Sequence, residues 1–76
     1  MLHWSDDFEQ FMMERKKRRK VRDPETVKYY KSIFEKYLEG KELSEELIDY
    51  VVNHPNKWLR SVLRHYIRYL IFQEEN

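Results

Sequence analysis

The sequence predicts an all-α fold, a bundle of four helices, and three observations carry that expectation. Apolar residues recur at three- and four-residue spacing over long stretches, no segment alternates apolar and polar for long, and no hairpin dipeptide such as Asn-Gly or Asp-Gly occurs. The 76 residues make one domain, with 1 glycine, 2 prolines and no cysteine. A disulfide framework, a thiolate nucleophile and any cysteine-based metal centre are thereby excluded, so apolar packing must supply the stability. At 41% hydrophobic and 16% aromatic the chain is too rich for a disordered tail, although 38% of it is charged.

The first helix is expected from about Asp6 into the middle of the basic run, because Asp6 and Glu9 have capping-box spacing and Phe8, Phe11 and Met12 share one side. Met12 and Met13 are adjacent, so only one can point fully inward. The other suits either an adaptable protein contact or ordinary core filling. Asp23-Pro24-Glu25 supplies an N-cap, a proline at the first helical position and an acid in the first turn. The second helix then runs through Glu39 on Val27, Tyr30, Ile33, Phe34, Tyr37 and Leu38, and Gly40 stands where a left-handed C-cap is needed.

Ser44 caps a short third helix with Glu45 and Glu46 in its first turn and an expected buried stripe of Leu47, Ile48, Val51 and Val52. Asn53-His54-Pro55 stops it. Asn56 caps the fourth helix, which runs from Lys57 to about Gln73 with Leu59, Val62, Leu63, Tyr66, Ile67 and Leu70 apolar. The expected core is Phe8, Phe11, Val27, Tyr30, Phe34, Leu38, Ile48, Leu59, Val62, Leu63, Tyr66 and Leu70.

Charge is segregated behind a formal net of +1. Residues 1–14 carry only carboxylates (Asp6, Asp7, Glu9, Glu14), whereas Arg15, Lys16, Lys17, Arg18, Arg19, Lys20 and Arg22 crowd the next stretch. Such crowding repels itself unless a polyanion or a ring of carboxylates faces it, although a solvated, salt-bridged turn and a nuclear-targeting run are alternatives. On the fourth helix Arg60, Arg64 and Arg68 fall within about 80° of one another, with Lys57 in the same arc, opposite the apolar stripe. That face is either neutralised by another helix or left for an anion.

Several function classes fall away. One glycine leaves no room for a phosphate-cradling loop, so no nucleotide cofactor is expected. No apolar run approaches the ~20 residues of a membrane span, and no basic-then-apolar leader opens the chain, so a cytoplasmic location is expected. His3, His54 and His65 form no metal-binding pair, and no metal is expected. His65, Arg68 and Tyr69 are the residue types of a tyrosine-nucleophile phosphoryl transferase, but positions 68 and 69 point about 100° apart on a helix and cannot address one phosphorus. The abundance of lysine, arginine and glutamate over glutamine and asparagine is a bias shared with thermophile proteins. A helix-turn-helix made of the third and fourth helices is a competing DNA-binding reading, weakened by the proline link.

The order of signals carries a resemblance. Phe8-x-x-Phe11, a basic link, Thr26-x-x-x-Tyr30-x-x-x-Phe34-x-x-Tyr37-Leu38, then Leu43-Ser44 followed by Ile48, Tyr50 and Val51, then Arg64-x-Tyr66-x-x-Tyr69-Leu70 resembles the N-terminal core-binding domain of tyrosine recombinases, the phage-type integrases. The resemblance covers nearly the whole chain on degenerate motifs. It implies a compact four-helix bundle of the SAM-like type that grips one side of double-stranded DNA, while a separate C-terminal domain holds the catalytic residues. On that reading residues 1–76 are an N-terminal fragment of a longer recombinase, not an enzyme by themselves, and His65 and Arg68 are not the family's catalytic pair.

The resemblance turns the second and fourth helices to the major groove and makes Thr26, Lys28, Lys31, Lys57, Arg60 and Arg64 the outward positions, with Arg15, Arg18, Arg19, Lys20 and Arg22 as a basic linker on the backbone. It also implies contact with neighbouring protomers through the first helix in a recombination complex. The alternative from another class is a helical protein-interaction or transcription-regulatory module whose basic run meets an acidic protein surface.

Overall fold

The computed structural model describes residues 1–14 and 23–75. Among the described residues there are four helices, α1 (Asp6–Met13), α2 (Pro24–Tyr37), α3 (Glu45–Asn53) and α4 (Lys57–Glu74), and no strand. The all-α four-helix bundle is therefore the architecture. The expected continuation of the first helix into 15–22 lies outside the described residues; within them Met13 is the last helical residue and Glu14 the C-cap.

Each helix starts on a side chain that satisfies a backbone N–H left over by the helical pattern. Asp23 accepts from the Glu25 N–H at 3.1 Å, Ser44 from Leu47 at 3.2 Å and Asn56 from Trp58 at 3.0 Å, as expected. The first cap differs. Ser5, not Asp6, accepts from the Phe8 N–H at 3.1 Å, and Glu9 instead receives the Trp4 indole N–H at 3.1 Å, so no capping box forms. Helix α2 ends two residues before Glu39: Leu38 and Glu39 both donate to the Phe34 carbonyl, and Gly40 turns the chain at φ 79°.

Helix α4 is the axis of the molecule, touching each of the other three, with α2 its most extensive neighbour. Around its middle an aromatic cluster closes the junction with α1 and α2. Phe8 lies 4.9 Å from Tyr66 and 5.4 Å from Tyr69, Trp4 lies 5.0 Å from Phe8 and 5.6 Å from Phe34, and several of these pairs are T-shaped, the arrangement ring quadrupoles favour. Phe8, Met12, Phe34, Leu38, Leu59 and Val62 have no exposed surface at all.

The core departs from expectation in three places. Ile48 is not a core residue: it is 38% exposed, and Val52 on the same stripe is 56% exposed, whereas Leu47 and Val51 are the residues of α3 that are buried. Phe11 and Leu70 pack against the core without being sealed in it, while Met12 is the inward methionine and Tyr69 is buried. Leu2 is buried too, although it belongs to no helix. Its N–H donates to Lys41 O at 2.8 Å and its carbonyl accepts from the Gly40 N–H at 2.7 Å, so the first residues are laced to the turn that follows α2.

Glu39 completes that lacing. Its carboxylate meets His3 Nδ1 at 2.6 Å and accepts from the Trp4 backbone N–H at 3.1 Å. The His3 hydrogen bond and then the Trp4 N–H hold the Glu39 carboxyl below its ordinary pKa, since both favour the ionised form.

Candidate nucleic-acid interface

The position of each cation follows from the helix it stands on. On α2, at 100° per residue, Val27, Tyr30, Ile33 and Phe34 form the buried arc, leaving Lys28 and Lys31 in solvent and Thr26 half-buried at an edge. On α4 the buried residues Leu59, Val62, Leu63, His65, Tyr66 and Tyr69 turn Lys57, Arg64 and Arg68 outward. Arg15, Arg18, Arg19, Lys20 and Arg22 lie outside the described residues.

Arg60 does not stand free on that arc. It is half-buried, and its guanidinium donates to the His54 carbonyl at 2.9 Å and lies 3.5 Å from that of Val52, at the end of α3. A cation over the last carbonyls of a helix satisfies unpaired acceptors and complements the negative end of the dipole. The expectation that Arg60 is an outward, anion-facing residue is corrected to this extent: its guanidinium is engaged in holding α3 against α4.

The α2–α4 seam carries a feature that the sequence reading did not single out. Trp58, 37% exposed, contacts both Tyr29 (5.3 Å, T-shaped) and Tyr30 (5.4 Å), and Tyr29 is itself 46% exposed. Below the pair, Tyr30 and Ser61 share a hydrogen bond of 3.0 Å across the helices. Tyr29 lies off the apolar rhythm of α2, which is the one signal that could have marked it. Lys28 and Lys57 are the immediate chain neighbours of this pair and point about 100° round their helices from it, on the side away from the core. Lys31 is not brought to the same place, since it lies about 160° round α2 from Tyr29.

Among the described residues the one ion pair is His3 with Glu39, so Lys28, Lys31, Lys57, Arg64 and Arg68 have no carboxylate partner. The residues His65, Arg68 and Tyr69 occupy three separate surroundings. The His65 ring packs edge-on to Tyr30 at 5.6 Å, Arg68 is exposed, and Tyr69 is buried against Phe8 with its hydroxyl accepting from Gln73 at 2.9 Å. Among the described residues no group of three His, Cys, Asp or Glu could hold a metal ion, and no helix is long and apolar enough to cross a membrane.

No family model, curated protein or solved structure matches the chain.

Proposed function

We propose that the chain is a double-stranded DNA-binding domain of the tyrosine-recombinase core-binding, SAM-like type, the N-terminal part of a DNA integration and recombination protein whose strand-transferring catalytic residues lie in another domain. The observation that supports this best is the α2–α4 seam, where an exposed Tyr29–Trp58 pair joins two helices that carry Lys28, Lys57, Arg64 and Arg68 on their solvent sides, all without a carboxylate partner among the described residues. Unneutralised cations on the same two helices as exposed rings suit a phosphate backbone and the sugars between its charges. The resemblance assigns DNA contact to the same two helices, which here are also the most extensively packed pair.

Roles within the interface divide between two groups of cations. The cations of 15–22 contribute charge to the backbone, whereas Arg64, carried on a packed helix, is the residue placed to read a guanine edge bidentately. Arg60, engaged at the end of α3, contributes through the position of that helix.

Titration with duplex DNA at several salt concentrations tests the proposal. Log affinity should fall linearly with log salt. Neutralising Arg18, Arg19 and Lys20 together should weaken all duplexes about equally and flatten the slope, while Arg64→Ala should also erode sequence preference. Absence of salt-dependent duplex binding, with binding of an acidic protein lost in the triple variant instead, would replace this reading by the protein-interaction module.

A further inference from the structure

The groove between α3 and α4 has a different character from the seam on the other side of α4. Its floor is Val51 and Leu63, its walls include Ile48, Val52 and Ile67, and Arg64 and Arg68 line it from the α4 side. Ile48, Val52 and, one turn further along α4, Ile71 are 38%, 56% and 51% exposed. Four adjoining aliphatic side chains on one face of so small a domain mark a contact surface.

The charges beside this strip are ordered. Going round α3 away from the groove, Ile48 is followed by Val52, then by Glu45 and Asp49, each within about 40° of the last. Going round α4 away from the groove, Ile67 is followed by Ile71, then by Arg64 and Arg68. The surface thus reads acid, apolar, apolar, base from one edge to the other. Glu45, Asp49, Arg64 and Arg68 are all exposed and without an ion pair among the described residues.

A face of that order is complementary to itself. Rotation by half a turn about an axis through the apolar strip lays the acid edge of one copy over the basic edge of the other, on both sides of the axis, and buries the isoleucines and valines between them. This is the condition for an isologous interface, and matched edges also fix its register.

We infer that the α3–α4 face is a twofold homodimer interface, with a second copy of this chain as its occupant. The strip is short, so the association is weak, with a dissociation constant on the order of tens to hundreds of micromolar. The inference is independent of duplex binding, and the assay contains no nucleic acid. Because Arg64 and Arg68 belong to both surfaces, dimer formation and duplex binding compete for them.

Sedimentation and light scattering over a concentration series at low salt provide the test. The average mass should rise from 9.7 kDa toward that of a dimer. R64E/R68E and E45R/D49R should each self-associate at least about tenfold more weakly, since like charges then face each other across the axis. An equimolar mixture of the two variants should pair again, because one offers only acid edges and the other only basic ones. Helical circular dichroism checks that the variants fold, and Val52→Asp, an exposed position, provides a second way to break the strip. A wild-type mass that stays at 9.7 kDa to about 1 mM, well above the expected constant, or variants that associate as well as wild type, or a mixture that does not pair, each overturns the inference.

Discussion

The two junctions that α4 makes are built on different principles. Toward α1 and α2 it meets interlocking rings, with Phe8, Phe34 and Tyr66 mutually in contact and Phe8 and Phe34 wholly buried. Toward α3 it meets aliphatic side chains, half of whose stripe stays in solvent, and its own Arg60 reaches across to the carbonyls ending α3. Large rings remove much apolar area from water and cannot slide past one another without losing contacts, whereas a thin aliphatic seam is cheap to part. The first junction therefore carries the stability of the domain, and the second leaves side chains available for other contacts.

The sharpest way to break that contrast is at the ring cluster. Phe34→Ala should destabilise the domain by about 3–5 kcal/mol, most of what a domain of this size has, as measured by urea or thermal unfolding. Next comes Arg60→Gln, which removes the side chain spanning the α3 terminus while keeping an amide. About 1 kcal/mol should be lost, and hydrogen exchange should quicken in α3 more than in α1 or α2. A global loss shared equally by all four helices would mean that the α3 junction is as integral as the ring cluster.

Ile48→Ser should cost the monomer no more than about 1 kcal/mol, far less than Phe34→Ala, because the residue is 38% exposed whereas Phe34 is fully buried. The smallest effect is expected at the lacing of the N-terminal segment. The folded-state pKa of Glu39 is depressed from its ordinary value of 4.5, so its contribution is present above that pH and is lost as pH falls through the lower folded value. Glu39→Gln should flatten that acid limb by lowering the neutral region slightly to the acid level, a small change because the carboxylate is largely solvated.

The extent to which this architecture was legible in the sequence follows from what periodicity measures. Three helix starts, at Asp23, Ser44 and Asn56, were marked by a capping residue directly ahead of an apolar rhythm, and each cap forms. The stripe of α3 was equally clear, but a stripe shows which side of a helix is apolar and not how wide a partner covers it. The rhythm alone points Ile48 and Val52 inward, yet they stand at the uncovered edge. Leu2 was invisible for the opposite reason, since it is held by two backbone hydrogen bonds to a distant turn and shares no pattern with a neighbour.

The cationic arc of α4 was also legible, yet its members are not equivalent. Nothing in a helical wheel distinguishes Arg60 from Arg64, because the difference lies in carbonyl groups at the end of another helix. The exposed Tyr29–Trp58 pair depended in the same way on a meeting of two helices.

The same pair of junctions equips the molecule with two intrinsic optical reporters. The chain has two tryptophans, and they sit in opposite settings: Trp4 is partly buried between Phe8 and Phe34 with its indole N–H bound by Glu9, and Trp58 lies at the open seam against Tyr29 and Tyr30. A Trp58→Phe chain would emit from the ring cluster alone and follow unfolding. A Trp4→Phe chain would emit from the seam alone, where a quencher, a nucleotide base or a change in hydration is felt first. One fluorimeter could then read the permanent half of the molecule and its available half separately, without any added label.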